Sequence, residues 1–157
     1  MPMVIDFNVN RVREWMVNSV PVITPRTTVA TALRLLREHN VPALPVVADG
    51  RLLGLVDEKE MLRYTPSEAT TLDVYELHDV LEKMTVDRIA CPVPGTVAPD
   101  APLGEAAQLM LSTHRDAVPV VDGGRLLGLV TSASLVAAAA GTLLPAGDLA
   151  TPAGERG

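Results

Sequence analysis

This sequence predicts a mixed α/β (α+β) fold. It is built as two tandem β-α-β-β-α repeats whose sheets pack together with pseudo-two-fold symmetry. Three observations carry that expectation. The heptapeptide GRLLGLV occurs at 50–56 and returns unchanged at 124–130. The match extends without a gap when residues 12–62 are set against 86–136 at a constant offset of 74. Identities then fall at Val12/Val86, Pro25/Pro99, Ala32/Ala106, Leu35/Leu109, Ala43/Ala117 and Pro45-Val46-Val47/Pro119-Val120-Val121. Finally, the apolar spacing changes in the same order in both copies.

Each copy opens with a short extended stretch, Val20–Ile23 in the first and Thr96–Val97 in the second, that leads into Thr-Pro or Ala-Pro. Proline disfavours helix in the residue before it. A helix follows. Thr27 or Thr28 supplies its N-cap in the first copy, and Val29, Ala32, Leu33 and Leu36 recur at helical spacing; Leu103, Ala106, Ala107 and Met110 hold those places in the second. The runs ALPVV and AVPVV have the length and β-branching of a buried strand. Asp49-Gly50 and Asp122-Gly123-Gly124 offer the positive-φ residues of a tight hairpin. LLGLV is the returning strand, and Asp57 or Thr131 then caps a second helix.

The chain divides into an N-terminal segment 1–11, a first repeat 12–64, a linker 65–85, a second repeat 86–140 and a tail 141–157 expected to be mobile. In the linker Leu72, Tyr75, Leu77, Val80, Leu81 and Met84 recur at helical spacing after Thr70-Thr71, which predicts an amphipathic helix. Neither copy buries much surface alone, so the two sheets are expected to pack on each other.

Composition excludes several function classes. The net charge is −6 with no Lys/Arg cluster, which argues against a nucleic-acid surface or an anionic membrane surface. No apolar run is long enough to span a bilayer, and the N-terminus lacks the pattern of a secretory signal. A single cysteine, Cys91, forms no internal disulfide framework; a reducing cytoplasm is the expected compartment. His39, His78 and His114 lack metal-site spacing and are expected at the surface. Cys91 has no basic neighbour to activate it. No nucleophile–base pair, metal cluster or phosphate loop stands out, so the chain is read as non-catalytic.

The tandem unit, PVV followed two residues later by GRLLGLV, a polar residue and a helix, resembles a pair of CBS domains, the Bateman module, over about residues 12–137. The linker TPSEATTLDVYEL is similar to a segment of acetoin-utilisation-type CBS proteins. The resemblance implies a regulatory module that needs no cofactor. It would bind an adenosine-containing ligand (AMP, ADP, ATP or S-adenosylmethionine) in clefts between the repeats and pair as a disc-like homodimer. The family pattern Gly-x-x-Thr/Ser-x-x-Asp sets a hydroxyl and helix-start N–H groups toward phosphate and a carboxylate toward ribose.

Carried over by position, the ligand-binding candidates in the first copy are Val20, Val22, Ala43, Pro45, Asp57 and Glu60. In the second they are Ala117, Pro119, Thr131 and Ser134. Both copies depart from the pattern. Asp57 replaces the hydroxyl with a negative charge that opposes a polyphosphate unless a cation intervenes. Ser134 stands where the ribose-binding carboxylate is expected. Two simpler readings stand beside these: Asp57 and Thr131 cap helices whether or not a ligand exists, and Glu60 is a solvated face residue. The alternative function is a structural dimerisation module with degenerate clefts. Because the copies agree at GRLLGLV and diverge into DEKE and TSAS, the two clefts are expected to be unequal.

Overall fold

A computed structural model describes residues 7–63, 74–89, 93 and 95–141. The chain folds as two compact units, one of residues 1–20 and 94–157, the other of 21–93. In the second of these, helix α2 (Val29–His39) leads to strands β1 (Ala43–Ala48) and β2 (Arg51–Asp57), then to helices α3 (Glu58–Arg63) and α4 (Val74–Lys83) and a 3-10 turn at Val86–Arg88. The other unit holds α1 (Val12–Trp15), α5 (Leu103–Thr113), strands β3 (Ala117–Asp122) and β4 (Arg125–Thr131), and α6 (Ser132–Ala140).

Each unit carries a two-stranded antiparallel sheet, β1-β2 or β3-β4. The registers repeat at the sequence offset: Ala43 pairs with Asp57 and Pro45 with Leu55, as Ala117 pairs with Thr131 and Pro119 with Leu129. Both ladders slip at the same place, Val46/Val47 and Val120/Val121. The turns have two consecutive left-handed residues, Asp49 (φ 53°) and Gly50 (75°) in one and Gly123 (59°) and Gly124 (82°) in the other. Asp122, expected in the turn, instead ends β3. The leading strand of each repeat is reduced to a single parallel bridge, Ile23 to Val46 and Val97 to Val120. Ile23 N donates to Pro45 O at 3.0 Å, and Ile23 O accepts from Val47 N at 2.8 Å; Val97 repeats the arrangement with Pro119 and Val121 at 3.1 and 2.9 Å. Prolines at 21, 25 and 99 lack the N–H that a longer ladder would need.

Helix α2 begins at Thr28, whose hydroxyl accepts from Thr31 N, and ends on left-handed Asn40. Val29, Ala32, Leu33 and Leu36 form its buried face. In the other unit Val12, Val97, Leu103, Ala106, Met110, Val118, Val120 and Val130 make one aliphatic core, with Phe7 and Trp15 packed against it. Helix α4 lies against α2. It does so with half-buried Leu77, Val80 and Leu81, whereas Tyr75 is 85% exposed and lies off the packed face expected for it. Leu72 and the Thr70-Thr71 signal fall outside the described residues, as do Cys91 and the tail beyond Gly141.

The compact units do not coincide with the sequence repeats. Val12 N donates to Ala101 O, Arg13 N to Pro99 O and Leu103 N to Asn10 O, at 2.8–3.0 Å. At the offset of 74 the same three bonds recur with the copies exchanged, from Val86 N to Thr27 O, Asp87 N to Pro25 O and Val29 N to Met84 O. Residues 84–89 therefore build onto the first repeat, and the segment around 10–17 onto the second. The latter segment also bridges β4: Val17 N donates to Leu129 O at 2.7 Å, and Leu129 N to Val17 O at 2.9 Å. This approach needs Gly128, because a Cβ there would lie 2.3 Å from Val17 O.

Candidate functional site

The hairpins bring most of the expected site residues to one end of each sheet. In the 21–93 unit Ala43, at the start of β1, faces Asp57, at the end of β2. Pro45 is two residues further along, its carbonyl occupied by Ile23 N. In the other unit Ala117 faces Thr131, and the Pro119 carbonyl accepts from Val97 N. Ala43, Pro45, Ala117 and Pro119 are buried and offer no exposed polar group. Val22, 52% exposed, precedes the bridging Ile23 in the 21–93 unit, whereas Val20 belongs to the other unit.

The two strand ends differ in chemistry. Asp57 is half-buried, and its Oδ1 accepts from Glu60 N at 2.7 Å, so it caps α3 as the sequence predicts. Glu60 is not the solvated face residue of the simpler reading: only 8% of it is exposed, and its carboxylate meets the Arg63 guanidinium at 3.3 Å. A second cation, Arg37 of α2, pairs with Glu58 at 3.2 Å. The first copy therefore ends in carboxylates interleaved with arginines.

The second copy is uncharged at the same place. Thr131 and Ser134 are 3% and 0% exposed and close a reciprocal capping box. Thr131 Oγ1 accepts from Ser134 N and Ser134 Oγ from Thr131 N, each at 3.2 Å, and the two hydroxyls lie 3.2 Å apart. Next to them Ser132 Oγ donates to Asp116 Oδ1 at 3.0 Å, and Ser132 N donates to Asp116 O at 3.0 Å. The loop before β3 is thus tied to the start of α6. Ser134→Ala removes one acceptor and leaves the buried Thr131 N–H without it, for a cost of roughly 1–3 kcal/mol. Chemical denaturation of the variant measures that loss.

Sequence reasoning passed over three features. Glu60 and Arg63 stand three apart, a helical ion-pair spacing that was available to be read. The Thr131–Ser134 box uses serine where the familiar signature has Glu or Gln. Gly128 interrupts an otherwise bulky strand, the usual mark of close backbone approach. Among the described residues no group of three or more His, Cys, Asp or Glu could hold a metal ion. Among them, too, no helix is long and apolar enough to cross a membrane.

Comparison with known proteins gives a consistent result. A family model described as the CBS domain matches residues 12–67 and 86–141. A CBS domain-containing protein of Dictyostelium discoideum is 32% identical over 130 residues, covering 80% of this chain and 88% of that protein. The crystal structure of CBSX2 in complex with AMP is 31% identical, with a TM-score of 0.66 over 83% of this chain and 96% of that one. A putative acetoin utilization protein from Vibrio cholerae, at 24% identity and a TM-score of 0.68 over 85% of this chain and 92% of that one, shares the fold. Other curated relatives are longer: the chain spans 23% of one and 58% of another.

Proposed function

The chain belongs to the CBS-domain family, and from that premise we propose that it is a regulatory module. In this reading it works as a homodimer and binds an adenosine-containing ligand, AMP or a related nucleotide or S-adenosylmethionine. The observation that carries the reading is the AMP complex of CBSX2, a protein 31% identical to this chain over most of both lengths. The residues at the two hairpin ends support it and indicate how the ligand would be held. In the first copy Glu60 is the carboxylate for a ribose diol, with Arg63 beside it to offset the negative charge of Asp57. Ala43, Pro45 and Val22 supply the apolar surface for a base. In the second copy Ala117 and Pro119 play that part, and Thr131 and Ser134 offer hydroxyls only. Ligand binding then shifts the module between conformations by its differential affinity for them.

A second reading, a dimerisation module with one or both sites degenerate, is favoured by the Thr131–Ser134 box, whose hydroxyls are buried and already hydrogen-bonded. Thermal melting with AMP, ADP, ATP and S-adenosylmethionine separates the two. The regulatory reading expects at least one ligand to raise the melting temperature, with a stabilisation of about 2.7 kcal/mol at a hundredfold excess over its dissociation constant. The absence of any shift and of any calorimetric heat at millimolar ligand supports the dimerisation module instead.

Asp57→Thr sharpens the test. Threonine keeps the cap and removes the charge, so ATP binding is expected to strengthen by on the order of 1 kcal/mol, about fivefold. The effect on S-adenosylmethionine, which carries no phosphate, is expected to be smaller. Equal effects on both ligands would show that Asp57 does not face the phosphates.

A further inference from the structure

The two crossed segments, 10–17 and 84–89, act as leaders that dock on the repeats, and the charges at their docking positions are reversed between the copies. Arg13 N donates to Pro99 O at 2.8 Å, and Asp87 N, at the matched position, donates to Pro25 O at 3.0 Å. The residue after the accepting proline is Asp100 in one unit and Arg26 in the other. In the unit that holds β3 and β4 the opposite charges meet: Arg13 Nε donates to Asp100 Oδ1 at 2.7 Å, and Arg11 Nη1 reaches Asp100 O at 3.4 Å. The hydrogen bond and charge of Asp100 hold the Arg13 guanidinium above its ordinary pKa, and the Asp122 carboxylate adds to them. In the 21–93 unit the order is inverted, with the acid, Asp87, on the leader and the base, Arg26, on the repeat, both exposed. Asp87 accepts from the Thr85 hydroxyl rather than pairing directly with Arg26, so this attraction is the weaker of the two.

The backbone does not distinguish the two leaders. Each makes the same three bonds to its repeat, and each buries a valine there, Val12 or Val86, at 0% and 1% exposure. Those contributions cancel when crossed docking is compared with docking of each leader on its own repeat. The charges do not cancel. Crossed, each leader meets the opposite charge; uncrossed, Arg13 would meet Arg26 and Asp87 would meet Asp100. An exposed ion pair adds little to overall stability, but a choice between two arrangements turns on their difference, to which the attraction lost and the repulsion gained both contribute. From this we infer that these four residues form a charge code that assigns each leader to the other copy's repeat. The second repeat's docking surface is fitted to a basic leader and the first repeat's to an acidic one, whether or not a ligand is bound.

Hydrogen exchange of the Leu129 amide in the full chain tests it, because Leu129 N donates to Val17 O only while the first leader lies on the second repeat. Two double variants each reverse one side of the code and keep the net charge: Arg13→Asp with Asp87→Arg, and Arg26→Asp with Asp100→Arg. At low ionic strength each is expected to speed Leu129 exchange about fivefold. The quadruple variant restores opposite charges with every sign inverted, and is expected to return the rate to within about twofold of the unmodified chain. At about 1 M salt the effect of the double variants is expected to shrink, since Arg13 and Asp100 are 54% and 77% exposed. Double variants that leave the Leu129 rate unchanged overturn the code, and chain connectivity alone would then set the crossed docking. An effect undiminished by salt overturns it too. So does a quadruple variant as fast as the doubles, a comparison that holds even where a double variant unfolds.

Discussion

Deleting residues 1–17 is expected to unfold the β3–β4 hairpin, although those residues precede the other repeat in sequence. The segment inserts Val12 and Val17, 0% and 1% exposed, into the unit that holds that hairpin. Burial of two valines contributes roughly 1.5–3 kcal/mol each. Five backbone hydrogen bonds, linking Val12 to Ala101, Arg13 to Pro99, Leu103 to Asn10 and Val17 with Leu129 in both directions, are lost as well. At about 1 kcal/mol apiece they bring the total to several kcal/mol, comparable with the 5–15 kcal/mol that holds a typical domain together. Hydrogen exchange of the amides in 117–131 reads the outcome. Collapse of their protection is expected; unchanged protection would mean that the second repeat is self-contained and the exchanged segment incidental.

Gly128→Ala is expected to destabilise the same unit by about 3 kcal/mol. The added Cβ would sit 2.3 Å from Val17 O and 3.1 Å from Val17 C, and both contacts are backbone, so no side chain can rotate away. Either the 17–18 segment moves off, breaking both Val17–Leu129 bonds, or β4 shifts within a packed core. Gly124→Ala is the internal comparison. Its φ of 82° imposes strain of roughly 1–2 kcal/mol, but no atom lies within 4 Å of the added carbon. Urea unfolding should therefore rank Gly128→Ala well below Gly124→Ala. The reverse order contradicts the close approach at Val17.

Much of the fold is legible in the sequence because its determinants are local. Asp49-Gly50 and Gly123-Gly124 specify two-residue hairpins, and the apolar spacing of 29–36 and 103–110 specifies two helices. Thr28, Asp57 and Thr131 announce where helices start. The exchange of segments is not legible for the opposite reason. It rests on backbone hydrogen bonds to the carbonyls of Asn10, Pro25, Thr27, Met84, Pro99 and Ala101, which leave no periodic trace in the side chains. The burial of Glu60 is not legible either, because α3 has only six residues, too few for a buried face to declare itself by periodicity. Tyr75 failed likewise: its spacing to Leu77 and Val80 fits the helix, yet the face that meets α2 turns on Leu77, Val80 and Leu81.

The same contrast runs through the candidate site. Where the copies are identical, in GRLLGLV, they form matched strands with matched registers. Where they diverge, one strand end holds Asp57, Glu60 and Arg63, and the other holds a neutral, closed Thr131–Ser134 box. A carboxylate beside an arginine can accept from a diol; a buried hydroxyl pair must first give up its own bonds. Under the proposed function, unequal occupancy of the two strand ends is expected, with the first the stronger.

Hydrogen exchange of the full chain with and without millimolar AMP tests the proposed function most directly. The expected result is slowed exchange in peptides covering 43–44 and 57–60, with a weaker effect or none at 117–118 and 131–134. Binding that leaves all four stretches unchanged, or protects only the second repeat's pair, would contradict the assignment of the ligand site to the diverging ends of the two hairpins.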